Sequence, residues 1–127
     1  MDTKLTLSIL PERFAICRLG PQERIPDWAL AGNLFSVTRT PEELSIVCLE
    51  ANAPPGTKCE SGWRCLKVAG TLDFSQTGVL ASLAAPLAEA GISIFVVSTY
   101  DTDYLMVKEE NLQRAAAILS EAGHQVA

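Results

Sequence analysis

Two short stretches hold most of the residues able to do chemistry. Asp73-Phe74-Ser75-Gln76-Thr77-Gly78-Val79-Leu80 runs from the end of an apolar, strand-like segment into a helical pattern. A helix that starts near Thr77 leaves the N–H groups of its first turn without intrahelical acceptors, at the positive end of the helix dipole. Such a start suits a carboxylate. Gly78 has no Cβ to hold a ligand away from the backbone, and Asp73 stands where it could take an ammonium group. Together these features make a sensible pocket for an α-amino acid. The same residues have a plainer reading, in which Gly78 only allows close helix–sheet packing and Asp73 or Ser75 caps the helix. The second stretch, Ser98-Thr99-Tyr100-Asp101-Thr102-Asp103, sets hydroxyls and carboxylates at the exit of an apolar strand. Its plainer reading is a polar hairpin turn, for which Asp and Thr are ordinary choices.

Other reactive side chains point to less. The single histidine, His124, lies near the C-terminus beside no nucleophile, and no Ser/His/Asp order fits a triad. Asp101 and Asp103 form a spaced carboxylate pair, but on a turn they read as solvated. No Gly-rich phosphate loop with its lysine is present. Of the four cysteines, Cys17 and Cys48 lie in apolar runs, where a free thiol behaves as a small hydrophobe. Cys59 and Cys65 flank Glu60-Ser61-Gly62-Trp63-Arg64, and C-x-x-C is absent, so zinc spacing is missing. The expectation is no catalytic residue, no metal and no cofactor.

Composition narrows the partners. The chain has 127 residues, 48% of them hydrophobic, enough for one domain or two very small ones sharing a core. Ten basic residues are scattered among fifteen acidic ones, for a formal charge of −5, which argues against nucleic acid. No apolar run reaches the ~20 residues needed to span a bilayer, and Met1 to Leu5 begins no signal peptide. The expected compartment is the cytoplasm, with no membrane partner.

The elements that must position the two stretches follow from periodicity. Leu5, Leu7 and Ile9 alternate with polar residues as a strand, which Pro11-Glu12 should break before a second strand over Phe14 to Leu19. Pro26 to Ala31 is long enough only for a short helix. Pro54-Pro55-Gly56 marks a connecting loop. Arg64 to Phe74 reads as a strand. Thr77 to Ala90 reads as a helix in which Pro86 should make a kink or break, ended by Gly91. Ile92 to Thr99 is a near-continuous apolar strand, expected at the centre of a sheet, and Tyr104 to Lys108 is its hairpin partner. Glu109 to Ala122 is an amphipathic helix, ended by Gly123.

This pattern occurs twice. Phe35 to Cys48 and Phe95 to Lys108 align without a gap, with turns at Thr40-Pro41-Glu42-Glu43 and Tyr100-Asp101-Thr102-Asp103. Residues 63–127 read β-α-β-β-α-β, the ferredoxin-like order. Residues 1–62 read as a truncated copy, with the proline loop standing where its second helix should be. The extra strand near Lys4 could complete either half.

Three linked segments resemble ACT domains, the small-molecule regulatory modules. They are Asp73 to Leu80 at the strand-to-helix loop, Ala88-Glu89-Ala90-Gly91-Ile92-Ser93-Ile94 at the helix-to-strand junction, and Ser98 to Val107. The last is similar to the ACT units of aspartate kinases and to tandem ACT proteins related to animal cytosolic arginine sensors. The resemblance implies an α+β fold of tandem ferredoxin-like (βαββαβ) ACT units, the first truncated, with antiparallel sheets and helices on one face. It also implies a non-catalytic protein that senses an amino acid at the seam between its units. The ligand residues would be Asp73, Phe74, Ser75, Thr77, Gly78, Val79, Leu80, Ser98, Thr99, Asp101 and Asp103. Because Lys and Arg are absent from both stretches, a neutral or cationic amino acid is favoured over an acidic one. A homodimer and a separate regulated protein are the expected partners. The alternative is an ACT-like dimerisation or interaction module with no ligand.

Overall fold

The computed structural model describes residues 4–73 and 77–127. The chain divides into two compact units, one formed by Met1–Pro11 with Arg64–Ala127 and the other by Glu12–Trp63. We call them unit 1 and unit 2. The boundary falls inside strand β1 (Thr6–Leu19), after Pro11, and inside strand β4 (Cys59–Val68), after Trp63.

The fold is α+β, and its helices and paired strands account for the two periodicities in the sequence. Unit 1 holds the helices α1 (Val79–Glu89) and α2 (Leu112–Glu121), the only α-helices among the described residues. Val79, Leu83 and Leu87 of α1 recur at four-residue spacing and are buried, as are Ala115 and Leu119 of α2. Leu83, Leu87, Ala115 and Leu119 close one core with Leu7, Leu66, Leu105 and Val107 from the strands. Strand β5 (Ile94–Ser98) pairs antiparallel with β6 (Asp103–Lys108), and the short β7 (Gln125–Val126) runs parallel to the start of β1. Gly91 and Gly123 adopt φ of 75° and 100° just past the two helix ends, where a side chain would be strained.

Unit 2 has a separate core of Ala15, Cys17, Ala29, Leu44, Ile46 and Cys48. In it β2 (Ser36–Arg39) pairs with β3 (Leu44–Leu49), and β3 with the second half of β1, both antiparallel. Single 3₁₀ turns, Asp27–Leu30 and Glu50–Asn52, are its helical elements. The second has a counterpart in unit 1, Glu109–Asn111, which leads straight into α2. In unit 2 the next residue, Ala53, is instead extended, with ψ of 123°. Pro54 disfavours helical geometry in the residue before it, so the chain leaves as a loop.

Several expectations change. Pro11 does not break β1, which runs for 14 residues. It lies between the residues that pair with β7 and those that pair with β3, so its missing N–H removes no bond from either ladder. The Ile92–Thr99 run is not central, because among the described residues β5 pairs with β6 and ends the strand order. Ile94, Phe95, Val96 and Val97 are all half-buried, but of these Ile94 and Val96 pack on the core, and an unbroken apolar run does not distinguish these positions. Nor does Pro86 end α1, which continues to Glu89. The proline cannot donate to the carbonyl of Ser82, four residues earlier. His124, 5% exposed, fills that role, with Nε2 3.2 Å from the Ser82 oxygen, while its Nδ1 accepts from the Leu5 N–H at 3.1 Å. The ring therefore carries its proton on Nε2 and ties β1's entry to α1.

Candidate functional site

The hairpin turn of unit 1 and the start of α1 face a common cavity of about 330 Å³. Gly78 precedes the helix with φ of 80° and ψ of −2°, a conformation that glycine adopts without strain. The first intrahelical bond runs from the Ser82 N–H to the Gly78 carbonyl at 2.9 Å. The residue at the cap position, Gly78, has no side chain with which to close this end. The N–H groups of Val79, Leu80 and Ala81 thus have no intrahelical acceptor, and these three residues line the cavity. The opposite wall is the turn. Thr99 N–H donates to the Thr102 carbonyl at 2.8 Å, and Thr99 Oγ1 accepts from the Thr102 N–H at 3.2 Å. Thr102 is 4% exposed and its hydroxyl donates to the Val68 carbonyl at 2.8 Å, which fastens the turn to β4. Leu72 N–H donates to the Asp101 carbonyl at 2.6 Å and ties the segment after β4 to the turn.

Of the residues expected at the site, Asp73, Gly78, Val79, Leu80, Ser98, Thr99, Asp101 and Asp103 line this cavity. Thr77 is exposed and is not among its lining residues. Phe74 and Ser75 lie outside the described residues. The lining also includes Leu72 and Ala81, outside both candidate stretches, and Tyr100 and Thr102, which lie in the second stretch but not among the expected ligand residues. Ala81 follows once the helix starts at Val79 rather than near Thr77. Tyr100, 78% exposed, and Leu80, 39% exposed, give the mouth an apolar rim. Asp73, Asp101 and Asp103 supply three carboxylates, and among the described residues none that lines the cavity is basic. The site thus offers backbone donors on one side and anionic acceptors on the other. That pairing matches the two charged ends of an amino acid.

The turn corrects the internal alignment by one residue. Thr40 heads the unit 2 turn just as Thr99 heads this one, with Thr40 N–H to the Glu43 carbonyl at 2.9 Å and Glu43 N–H to Thr40 Oγ1 at 3.1 Å. The closing pairs are Arg39–Leu44 and Ser98–Asp103. The second turn is therefore Thr99–Thr102, not Tyr100–Asp103. A threonine at the head of both turns was the available signal, since its hydroxyl can hold the turn from within.

Cysteine chemistry is also partly different. Cys17 is not free; it forms a disulfide with Cys59, 42 residues away. Cys48 and Cys65 are buried and take no part in the disulfide, and burial pushes the Cys48 thiol pKa up. Among the described residues, no group of three or more His, Cys, Asp or Glu side chains could hold a metal ion, and no helix is long and apolar enough to cross a membrane.

Comparison with known proteins agrees with this architecture. The ACT domain model matches residues 58–121, and a second model, describing an N-terminal domain, matches residues 12–56. The crystal structure of protein Atu0741 from Agrobacterium tumefaciens is 42% identical, with a TM-score of 0.94 over 99% of this chain and 94% of that one. The ligand-free regulatory subunit of aspartate kinase from Thermus thermophilus shares the fold at 14% identity, with a TM-score of 0.63 over 96% of this chain and 99% of that one. The cytosolic arginine sensor for mTORC1 subunit 1 of Rattus norvegicus is 33% identical over 88 residues, 61% of this chain. The chain spans 27% of that relative's length. ACT domains and the regulatory subunits of aspartate kinases are non-catalytic. With an ACT model matched over half its length by residues that build the helices and the cavity wall, the chain belongs to the ACT domain family.

Proposed function

We propose that unit 1 is a regulatory sensor of a free amino acid, bound in the cavity between the α1 start and the Thr99–Thr102 turn. The observation that carries this reading is a helix start with glycine at its cap position, opening into a cavity whose lining includes three carboxylates. The ligand α-carboxylate is held by the N–H groups of Val79, Leu80 and Ala81, which need no basic side chain. Its ammonium group is met by Asp73, Asp101 or Asp103. An acidic ligand side chain would add a like charge beside these carboxylates, whereas a neutral or cationic one would not. Within the cationic class, the relatives named as arginine sensors favour arginine. Binding shifts the population of one arrangement of the unit, which a separate protein reads.

Thermal-shift and calorimetric titrations with arginine, lysine, threonine, aspartate and glutamate test this. A ligand at ~100 times its Kd stabilises by roughly 2.7 kcal/mol, a shift of several degrees at this chain length. Asp103→Asn should weaken a cationic ligand. If none of the five shifts the melting temperature, the ligand reading fails in favour of an interaction module. If glutamate or aspartate binds tightly and Asp73→Ala leaves that binding unchanged, the chemistry assigned to the pocket is wrong.

A further inference from the structure

The two hairpins act as an internal ruler. With Thr40 matched to Thr99, Arg39 takes the place of Ser98 and Glu42 that of Asp101. In unit 1, Ser98 lines an open cavity. In unit 2, the corresponding arginine reaches back to the loop that precedes the 3₁₀ turn Asp27–Leu30. Arg39 Nη1 donates to the Pro21 carbonyl, and Nη2 donates to the Glu23 carbonyl at 2.8 Å. The receiving loop is already closed on itself, with Glu23 N–H bonded to the Gly20 carbonyl at 3.2 Å and Gly20 N–H bonded to Glu23 Oε2 at 2.5 Å. Proline at the second position suits such a turn, so it presents the two acceptors without help from Arg39. The Glu23 carboxylate is turned toward Gly20, which leaves carbonyl oxygens rather than an ion pair to receive the guanidinium. The turn carbonyl that takes the Leu72 N–H in unit 1 is matched here by that of Glu42, which takes Arg18 Nη2 at 2.9 Å. In both units that turn carbonyl is engaged, by the Leu72 backbone in unit 1 and by the side chain of strand residue Arg18 in unit 2, and unit 2 adds a planar two-pronged cation from the turn to the loop.

We propose that unit 2 contains a guanidinium site, formed by the Pro21 and Glu23 carbonyl oxygens and occupied by the chain's own Arg39, which closes the counterpart of the unit 1 cavity to free ligands. The site accepts a planar guanidinium and not an ammonium, because only the former spans two acceptors with parallel N–H bonds. It goes beyond the amino-acid reading of unit 1 and stands whether or not that reading holds.

Chemical rescue tests it on the full chain. Arg39→Ala should lower the melting temperature by a few degrees. Millimolar methylguanidinium chloride should then raise the variant's melting temperature along a saturating curve, with no such effect on the wild type. Methylammonium chloride at equal ionic strength should do nothing. Equal effects of the two cations, or an unsaturating response, would overturn the proposal. If Arg39→Ala does not fold, ¹⁵N NMR of the wild-type arginine side chains decides. Slowed rotation of the Arg39 guanidinium supports the site, and rotation as fast as in a solvated arginine refutes it.

Discussion

His124 and Pro86 should be energetically coupled although they are 38 positions apart in the chain. Pro86 leaves the Ser82 carbonyl without its helical donor, and His124 Nε2 supplies one at 3.2 Å. His124→Leu keeps an apolar filler of similar bulk but orphans two partly buried groups, the Ser82 carbonyl and the Leu5 N–H. Each orphan costs about 1–3 kcal/mol, so the single substitution should cost about 3 kcal/mol. With Pro86→Ala in place, the alanine amide can donate to Ser82 within the helix. His124→Leu then loses only the Leu5 share, about 1.5 kcal/mol, which leaves a coupling of about 1.5 kcal/mol. The effect of proline on the unfolded chain is common to both arms of the cycle and cancels. Urea unfolding of the four proteins at constant m gives the coupling directly. Additivity within about 0.3 kcal/mol would show that the two residues do not share that carbonyl, and the account of α1 given above would be wrong.

Reducing the Cys17–Cys59 disulfide, which spans 42 residues, should cost about 4 kcal/mol of chain entropy and lower the melting temperature by roughly 12–16 °C. Hydrogen exchange should quicken in β2 and β3 but not in α1 or α2, since both cysteines lie in unit 2; four reactive thiols in unreduced, denatured protein would contradict the bond. Thr102→Val removes the bond to the Val68 carbonyl and should cost about 2 kcal/mol by denaturant unfolding, with weaker ligand binding as the turn loosens. Cys48, with its pKa raised by burial, keeps its proton more tightly folded than unfolded. Its contribution is complete below the unfolded thiol pKa and fades as pH rises through the folded one, so Cys48→Ala should flatten the alkaline loss of stability. Gly78→Ala meets no atom of the described residues within 4 Å, so its expected cost is the φ of 80°, about 1 kcal/mol by thermal melting, and a larger loss would mean that the added methyl meets a neighbour.

Local pattern carried the parts of this protein that depend on neighbours in sequence. The four-residue spacing of Val79, Leu83 and Leu87 marks α1, because a helix sets its buried face within its own turns. The paired apolar runs around polar turns mark both hairpins, and Asp73 to Leu80 and Ser98 to Asp103 draw attention as chemistry-bearing loops for the same reason. The hairpin register was ambiguous by one residue. Sliding Phe95 against Phe35 or Ser36 changes the composition match little, yet it moves every side chain to the other face. The Thr40 and Thr99 hydroxyl bonds decide that register only once the turns are closed. Tertiary structure alone brought Cys17 to Cys59, His124 to Ser82 and Leu5, and Arg39 to Pro21 and Glu23. It also placed β5 at an edge and carried β1 through Pro11. Periods of 2 and 3.6 report which face of an element is buried, but they do not name what lies against it. Those partners are selected when distant strands find their register, and a buried donor or acceptor left open by one segment must then be satisfied by another.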